Sequence, residues 1–162
     1  ITYIWTFEGF VYLTSIMDLY SEKLFPGYLS ETLEASHVVK CIEKAKQSRH
    51  IENPLIFHCD RGCQYVSEAF HKATAGMIHS YSKKAYPWDN ACIESFHALL
   101  KRECINRFKI FNYTHAYKLI FEYIETFYNT VRIHSHCGYL SPNEYEEQYL
   151  KNLETNVTNL AS

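Results

Sequence analysis

At 162 residues, with 47% hydrophobic and 16% aromatic side chains, the chain is long enough for one domain with a real core and too apolar for extended disorder. Only 5 Gly and 4 Pro interrupt it, and a formal net charge of −2 gives no chain-wide attraction to nucleic acid. No apolar run approaches the roughly 20 residues of a membrane span and no secretory signal is visible, so a soluble, cytoplasmic protein with no membrane partner is expected.

Residues 2–6 and 9–18 are rich in β-branched and aromatic side chains and read as two strands joined by a tight turn at Phe7-Glu8-Gly9. A third strand is expected over 23–29, bulged or broken at Pro26-Gly27. Residues 33–48 have helical spacing, with Val38, Val39 and Ile42 on one side and Lys40, Glu43, Lys44 and Lys46 elsewhere. Asn53-Pro54 ends that unit, and a short buried strand over 55–58, a helix over 67–74 and a brief strand over 77–81 follow. Residues 83–88 read as a loop. Asp89 is expected to cap a helix running to Cys104, since its carboxylate can accept from the free amides of the first turn. Another long helix is expected over 114–128, and Ser141-Pro142-Asn143-Glu144 marks a further helix start with Pro in the first turn. The Asn- and Thr-rich residues after Lys151 read as a frayed tail. The fold class is α/β, a mixed sheet of about five strands flanked by helices, without repeats or an interdomain linker.

The six cysteines (Cys41, Cys59, Cys63, Cys92, Cys104 and Cys137) form no CxxC pair, and a core of this size needs no disulfide framework, so reduced thiols are expected. The groupings His58, Cys59, Cys63 and His134, His136, Cys137 match no standard zinc spacing. Two carboxylates carry more information. Asp60 stands at the tip of the short apolar run Leu55-Ile56-Phe57, where it either serves a strand-end site or stabilises an Asp-Arg-Gly turn. On the helix after Asp89, the residues Ile93, Phe96, Leu99 and Leu100 fall on one stripe, and Asn90, Glu94, His97 and Lys101 on another. That polar stripe is either a solvated face or one that ligates metal through Glu94 and holds a phosphate through Lys101. Two-metal phosphoryl transfer needs carboxylates flanking ions roughly 4 Å apart. From Lys83 to Lys109, six basic residues (Lys83, Lys84, Lys101, Arg102, Arg107, Lys109) stand against three acids, a local charge that suits a phosphate backbone or an ordinary mixed surface.

The segment His58-Cys59-Asp60-Arg61-Gly62-Cys63-Gln64-Tyr65-Val66-Ser67 resembles the HSDRGSQY motif of bacterial insertion-sequence transposases with a retroviral-integrase core. Asp89-Asn90-Ala91-Cys92-Ile93-Glu94-Ser95-Phe96, with Leu100-Lys101-Arg102-Glu103, is similar to their DNA-x-x-ESF…LK-x-E motif. Tyr128-Asn129, Arg132, His134 and Gly138-Tyr139-Leu140-Ser141-Pro142 resemble the closing YN-x-x-R-x-H…GYLSP. The resemblance covers residues 1–148 and implies a ribonuclease-H-like fold. It also implies an Asp-Asp-Glu site with two Mg²⁺ or Mn²⁺, cleavage at transposon ends, and transfer of the freed 3′ hydroxyl to target DNA. By that match Asp60 and Glu94 are the second and third catalytic, metal-binding acids. Lys101, Arg61, Lys83, Lys84 and Arg102 would contact DNA, and His58, Gly62, Asp89 and Asn90 would support the site. DNA and a second copy of the chain, in a homodimer or larger assembly, are the implied partners.

The family's first acid lies in a strand reading TDITYI, and this chain opens Ile1-Thr2-Tyr3-Ile4. The first catalytic Asp is therefore expected one residue before Ile1, with residues 1–148 a core lacking its N-terminal edge and 149–162 a tail. Asp60 and Glu94 stand slightly closer in sequence than is usual, with the shortening expected near 74–76. Cys59 and Cys63 replace Ser, and Glu22 stands where a basic residue is common. Asp18, at the far end of the second expected strand, is a weak substitute for the missing acid. Two alternatives accompany this reading. One is a remnant that keeps the fold with DNA binding or self-association but no chemistry. The other is a ribonuclease-H-like nuclease acting by hydrolysis, which the ESF…LK and GYLSP motifs oppose.

Overall fold

Strict alternation sets the first hairpin. Along β1 (Thr2–Thr6), Thr2, Ile4 and Thr6 are buried while Tyr3 and Trp5 are exposed, as in a strand with one covered face. β1 pairs antiparallel with β2 (Gly9–Thr14), with Thr6 opposite Gly9, so Phe7 and Glu8 form the tip. Gly9 adopts φ +123°, a backbone state that a side chain would strain. β3 (Tyr28–Ser30) adds antiparallel to β2, giving the order β1-β2-β3. The computed structural model describes residues 1–49, 54–84 and 86–160, so Asn53, expected to end the following helical unit, lies outside the described residues.

Two strands are shorter than the sequence suggests. β2 stops at Thr14 rather than 18, and Asp18 turns the chain, its Oδ1 accepting from the amides of Tyr20 at 2.9 Å and Ser21 at 2.8 Å. The third begins at Tyr28 because Pro26 cannot donate to a ladder, while Gly27 lies so close to β2 that a Cβ would meet the Thr14 carbonyl at 2.9 Å. Upstream of it only an isolated Met17–Leu24 bridge survives.

α1 (Ala35–Ser48) buries Val38, Cys41 and Ile42. β4 (Ile56–Cys59) follows, then a 3₁₀ turn over Cys63–Val66, and α2 (Glu68–Ala73), which Ser67 caps by accepting from the Phe70 amide at 3.2 Å. β5 (Ile78–Tyr81) runs parallel to β4. The five expected strands are thus present, but they divide into a three-stranded antiparallel and a two-stranded parallel sheet, with no ladder between them among the described residues. Side chains bridge the gap instead: Ile1, Ile16 and Phe57 pack on a small core of Val38, Ile42, Cys59 and Phe70.

α3 (Ala91–Glu103) buries Phe96 and Leu100 completely against Ile4, Val11, Leu13 and Leu29 of the first sheet, with Ile93 and Leu99 beside them. Each fully buried side chain of this size contributes about 1.5–3 kcal/mol. Asp89 does not cap this helix. A 3₁₀ turn over Pro87–Asn90 leads into it, Asn90 occupies the cap position without a side-chain bond, and Asp89 accepts from the Lys83 amide at 2.8 Å. The loop thereby takes the carboxylate that the helix was expected to use.

α4 (Tyr113–Glu122) gives way to a π turn over Tyr123–Tyr128, where one continuous α-helix was expected. The wider turn lets Tyr123 and Tyr128, five residues apart, both reach the core. α5 (Pro142–Leu160) starts on a capping box in which Ser141 Oγ accepts from the Glu144 amide at 3.4 Å and Glu144 Oε2 accepts from the Ser141 amide at 2.8 Å. It continues to Leu160, through the stretch read as a frayed tail. All six cysteines are free.

Three long-range polar contacts tie the closing segment to the rest. Asn129, buried, accepts from the Leu24 amide at 3.0 Å and donates to its carbonyl at 2.9 Å. His134 Nδ1 meets Glu22 Oε2 at 2.7 Å, which gives the unusual acid at position 22 a partner. At the end of α3, Glu103 accepts from Arg132 Nε and Nη2, both at 3.0 Å, and from the Tyr123 hydroxyl at 2.7 Å. The Arg132 hydrogen bonds, joined by that of Tyr123, outweigh partial burial and hold the Glu103 carboxyl at about 2.

Asn129→Ala leaves a buried amide and carbonyl of Leu24 unpaired and should cost about 3 kcal/mol, read as a lower urea midpoint at unchanged slope. Glu103 titrates lower when folded than its ordinary 4.5, so its stabilisation is complete above about pH 4.5 and fades as pH falls toward 2. In Glu103→Gln that acid-side loss should flatten; an unaltered stability–pH curve would remove the brace.

Candidate active site

Two elements offer carboxylates. Asp60 is the first residue beyond β4 and is exposed, its Oδ1 accepting from the Gly62 amide at 2.8 Å. A Cβ at Gly62 would stand 3.0 Å from that Oδ1 and 3.2 Å from Gln64 Oε1, so a side chain there would make both tips give way by a few tenths of an ångström. Glu94 is exposed in the first turn of α3, where the positive end of the helix favours an acid. Phe96 and Leu100 face the sheet, and this fixes the polar stripe of α3 on the other side.

Ile1, just ahead of β1, packs together with Phe57 on the small core that includes Cys59, the residue before Asp60. On α3, His97 stands one turn beyond Glu94, and burial, with the Lys101 charge behind it, pushes its imidazole well below the ordinary histidine range. Its Nε2 is buried without a hydrogen-bond partner among the described residues. The sequence grouped His97 with Glu94 and Lys101 but gave no sign that it would be half-buried with a ring nitrogen shielded from solvent. Its position beside Phe96 at the edge of the apolar stripe is the only hint.

The supporting residues divide. His58 pins β4 to the β5 side, with Nδ1 2.8 Å from Ser80 Oγ and Nε2 3.3 Å from Ser82 Oγ, so it acts within the sheet. Asp89 holds the Lys83 amide and so ties the loop after β5 to the approach of α3, with Lys83 and Lys84 both exposed. Arg61 is exposed beside Asp60 in the chain, Lys101 is half-buried, and Arg102 leans on Glu103 at 3.4 Å, a weak surface pair. Asp18 is committed elsewhere. Burial would raise its pKa, but hydrogen bonds from Ser21 and the charge of Arg49 prevail and lower it.

Among the described residues no three His, Cys, Asp or Glu side chains form a metal-holding group. Asp60 and Glu94 supply two carboxylate donors from separate elements, a hard oxygen set that suits Mg²⁺ or Mn²⁺ with water completing the shell. No described helix is long and apolar enough to cross a membrane.

Two family models, each described as Integrase core domain, match residues 1–87 and 75–142. The transposase for insertion sequence element IS904 of Lactococcus lactis subsp. lactis is 39% identical over 148 residues, which are 90% of this chain and 58% of that protein. Transposase InsF for insertion sequence IS3A of Escherichia coli K12 is 36% identical over 152 residues, 93% of this chain and 53% of the relative. The chain thus spans about half the length of the curated relatives it matches. Among solved structures, the catalytic core domain of BIV integrase superposes with a TM-score of 0.57 at 16% identity, covering 96% of this chain and 95% of that one. A chain of the simian T-cell lymphotropic virus intasome in complex with PP2A regulatory subunit B56 gamma gives 0.71 at 15% identity, covering 89% and 51%. These likenesses give the fold, that of the ribonuclease-H-like integrase cores, and the sequence matches give the lineage: the chain belongs to the integrase core domain family, among the bacterial insertion-sequence transposases.

Proposed function

We propose that this core carries out metal-dependent DNA transposition, cutting at transposon ends and joining the freed 3′ hydroxyl to a target strand. The observation that carries the reading is the placement of Asp60 directly beyond β4 and of Glu94 in the first turn of α3, both exposed, with Lys101 two turns on along the same stripe. The first acid that the resemblance implies would stand just ahead of β1. Asp60 and Glu94 would hold two divalent ions. When bound, Mg²⁺ or Mn²⁺ would ease deprotonation of the attacking hydroxyl and offset charge on the phosphodiester. Lys101 would neutralise a phosphate next to the site. The Asp89–Lys83 bond would keep Lys83 and Lys84 presented toward the DNA backbone, with Arg61 and Arg102 as outer contacts. His97, half-buried and uncharged, would add no second positive charge to the α3 stripe beside Lys101. The protein would act in the bacterial cytoplasm on chromosomal DNA, as at least a dimer, because two transposon ends need two sites.

With the first acid that the resemblance implies present ahead of Ile1, labelled duplex ends and Mg²⁺ should give strands longer than the substrate, whereas the chain opening at Ile1 should give none. Asp60→Asn and Glu94→Gln should each reduce that product by about a thousandfold or more while leaving the unfolding midpoint in place. Full joining by either variant would sink the assignment. Cut but unjoined strands would mean hydrolysis alone. DNA binding without any cleavage would favour the remnant. Lys101→Ala should lower the slope of log affinity against log salt by about one, and an unchanged slope would take Lys101 off the DNA.

A further inference from the structure

The outward face of the β1–β2 hairpin is a continuous aromatic surface that the proposed chemistry leaves unused. Tyr3 packs edge-on against Tyr12 at 5.2 Å and Phe10 at 6.4 Å, and Trp5 against Phe10 at 4.9 Å. At the tip, Phe7 lies 5.7 Å from Phe111, and its amide donates to the Ile110 carbonyl at 3.0 Å. Tyr3, Trp5, Phe7, Phe10 and Phe111 are each more than half exposed. Rings of this kind carry 150–250 Å² apiece, so these five leave on the order of 500–600 Å² of aromatic surface in water. That is the upper end of what a monomer ordinarily exposes and most of the roughly 800 Å² per partner that a stable interface buries.

Charge identifies the occupant. Between Ile1 and Ser15 the only charged residue is Glu8, so the two strands carry no cation that would take phosphates along the length of the face, and the cations stand only at its tip. The tip end carries both signs, with Glu8 on the turn and exposed Arg107 and Lys109 on the segment that Phe7 bonds to. An isologous interface brings one patch against its own copy, and an end bearing both signs is complementary to itself. The rings already brace one another, so little side-chain freedom is lost on contact.

We propose that this hairpin face is a self-association surface, occupied by the same face of a second copy of the chain. The inference rests on the reading that the protein works as at least a dimer, and it names the surface responsible. Sedimentation of the purified chain across a concentration series should show a dimer. Trp5→Ser combined with Phe10→Ser should raise its dissociation constant by about a hundredfold or more, with an unchanged circular-dichroism spectrum. Glu8→Lys, which leaves every ring in place, should weaken association by about tenfold at low salt and less at high salt. A dimer untouched by all three substitutions would overturn the face while leaving self-association intact. A chain that stays monomeric at every concentration would also overturn it. So would quenching of Trp5 fluorescence, read in a Trp88→Phe background, by a single-stranded oligonucleotide at micromolar concentration, since the face would then serve nucleic acid. None of these measurements needs metal or strand joining, so their failure is separate from failure of the proposed chemistry.

Discussion

The contact on which the rest depends is that of Phe96 and Leu100 with the inner face of the first sheet. Ile4, Val11, Leu13 and Leu29 receive them, and this sets the rotation of α3 about its own axis. Glu94, His97 and Lys101 are carried on that helix and cannot be repositioned without disturbing a fully buried pair. Close packing makes the constraint stiff, because a helix rotated by a fraction of a turn would open voids on one side and clash on the other. The geometry of the site is in this sense a by-product of apolar complementarity several ångströms away.

A second set of restraints comes from the far end of the chain. Arg132 and Tyr123 grip Glu103 at the end of α3, and Asn129 grips Leu24 at the edge of the first sheet. His134 meets Glu22. These contacts join residues from 20 to 112 positions apart, and each uses a directional polar group where an apolar contact would leave the register free. The closing motif thus acts as a clasp, holding the helix and the sheet edge that flank the first core.

Legibility from sequence followed the range of the interaction concerned. The apolar stripe of α3, the hairpin at Phe7-Glu8, the α5 start at Ser141-Pro142 and the strand leading to Asp60 were readable because period and local turn chemistry decide them. Asp89 was misassigned because two backbone amides compete for one carboxylate, and the winner, that of Lys83, depends on how the loop folds back. The division of five strands into two sheets was equally hidden, since strand order is a long-range outcome. For the candidate site, the sequence named Asp60, Glu94 and Lys101 as a set. The placing of Ile1 and Phe57 beside Cys59 and the half-burial of His97 emerged only from the three-dimensional packing. Glu22 looked like mere divergence until its partner, 112 positions away, came into view.

The π turn at Tyr123–Tyr128 has a bearing on how such a chain can change over generations. A π turn holds one residue more than the α turn it replaces, so it behaves as an insertion that the core has absorbed. Losing one residue there would restore a plain α-helix and rotate everything beyond it by about 100°. Asn129 and Arg132 would swing off Leu24 and Glu103 together, and the clasp would open at two points at once. Substitutions along this segment can be tried one at a time, but its length cannot. The lineage should therefore vary in side chains here while keeping the residue count fixed.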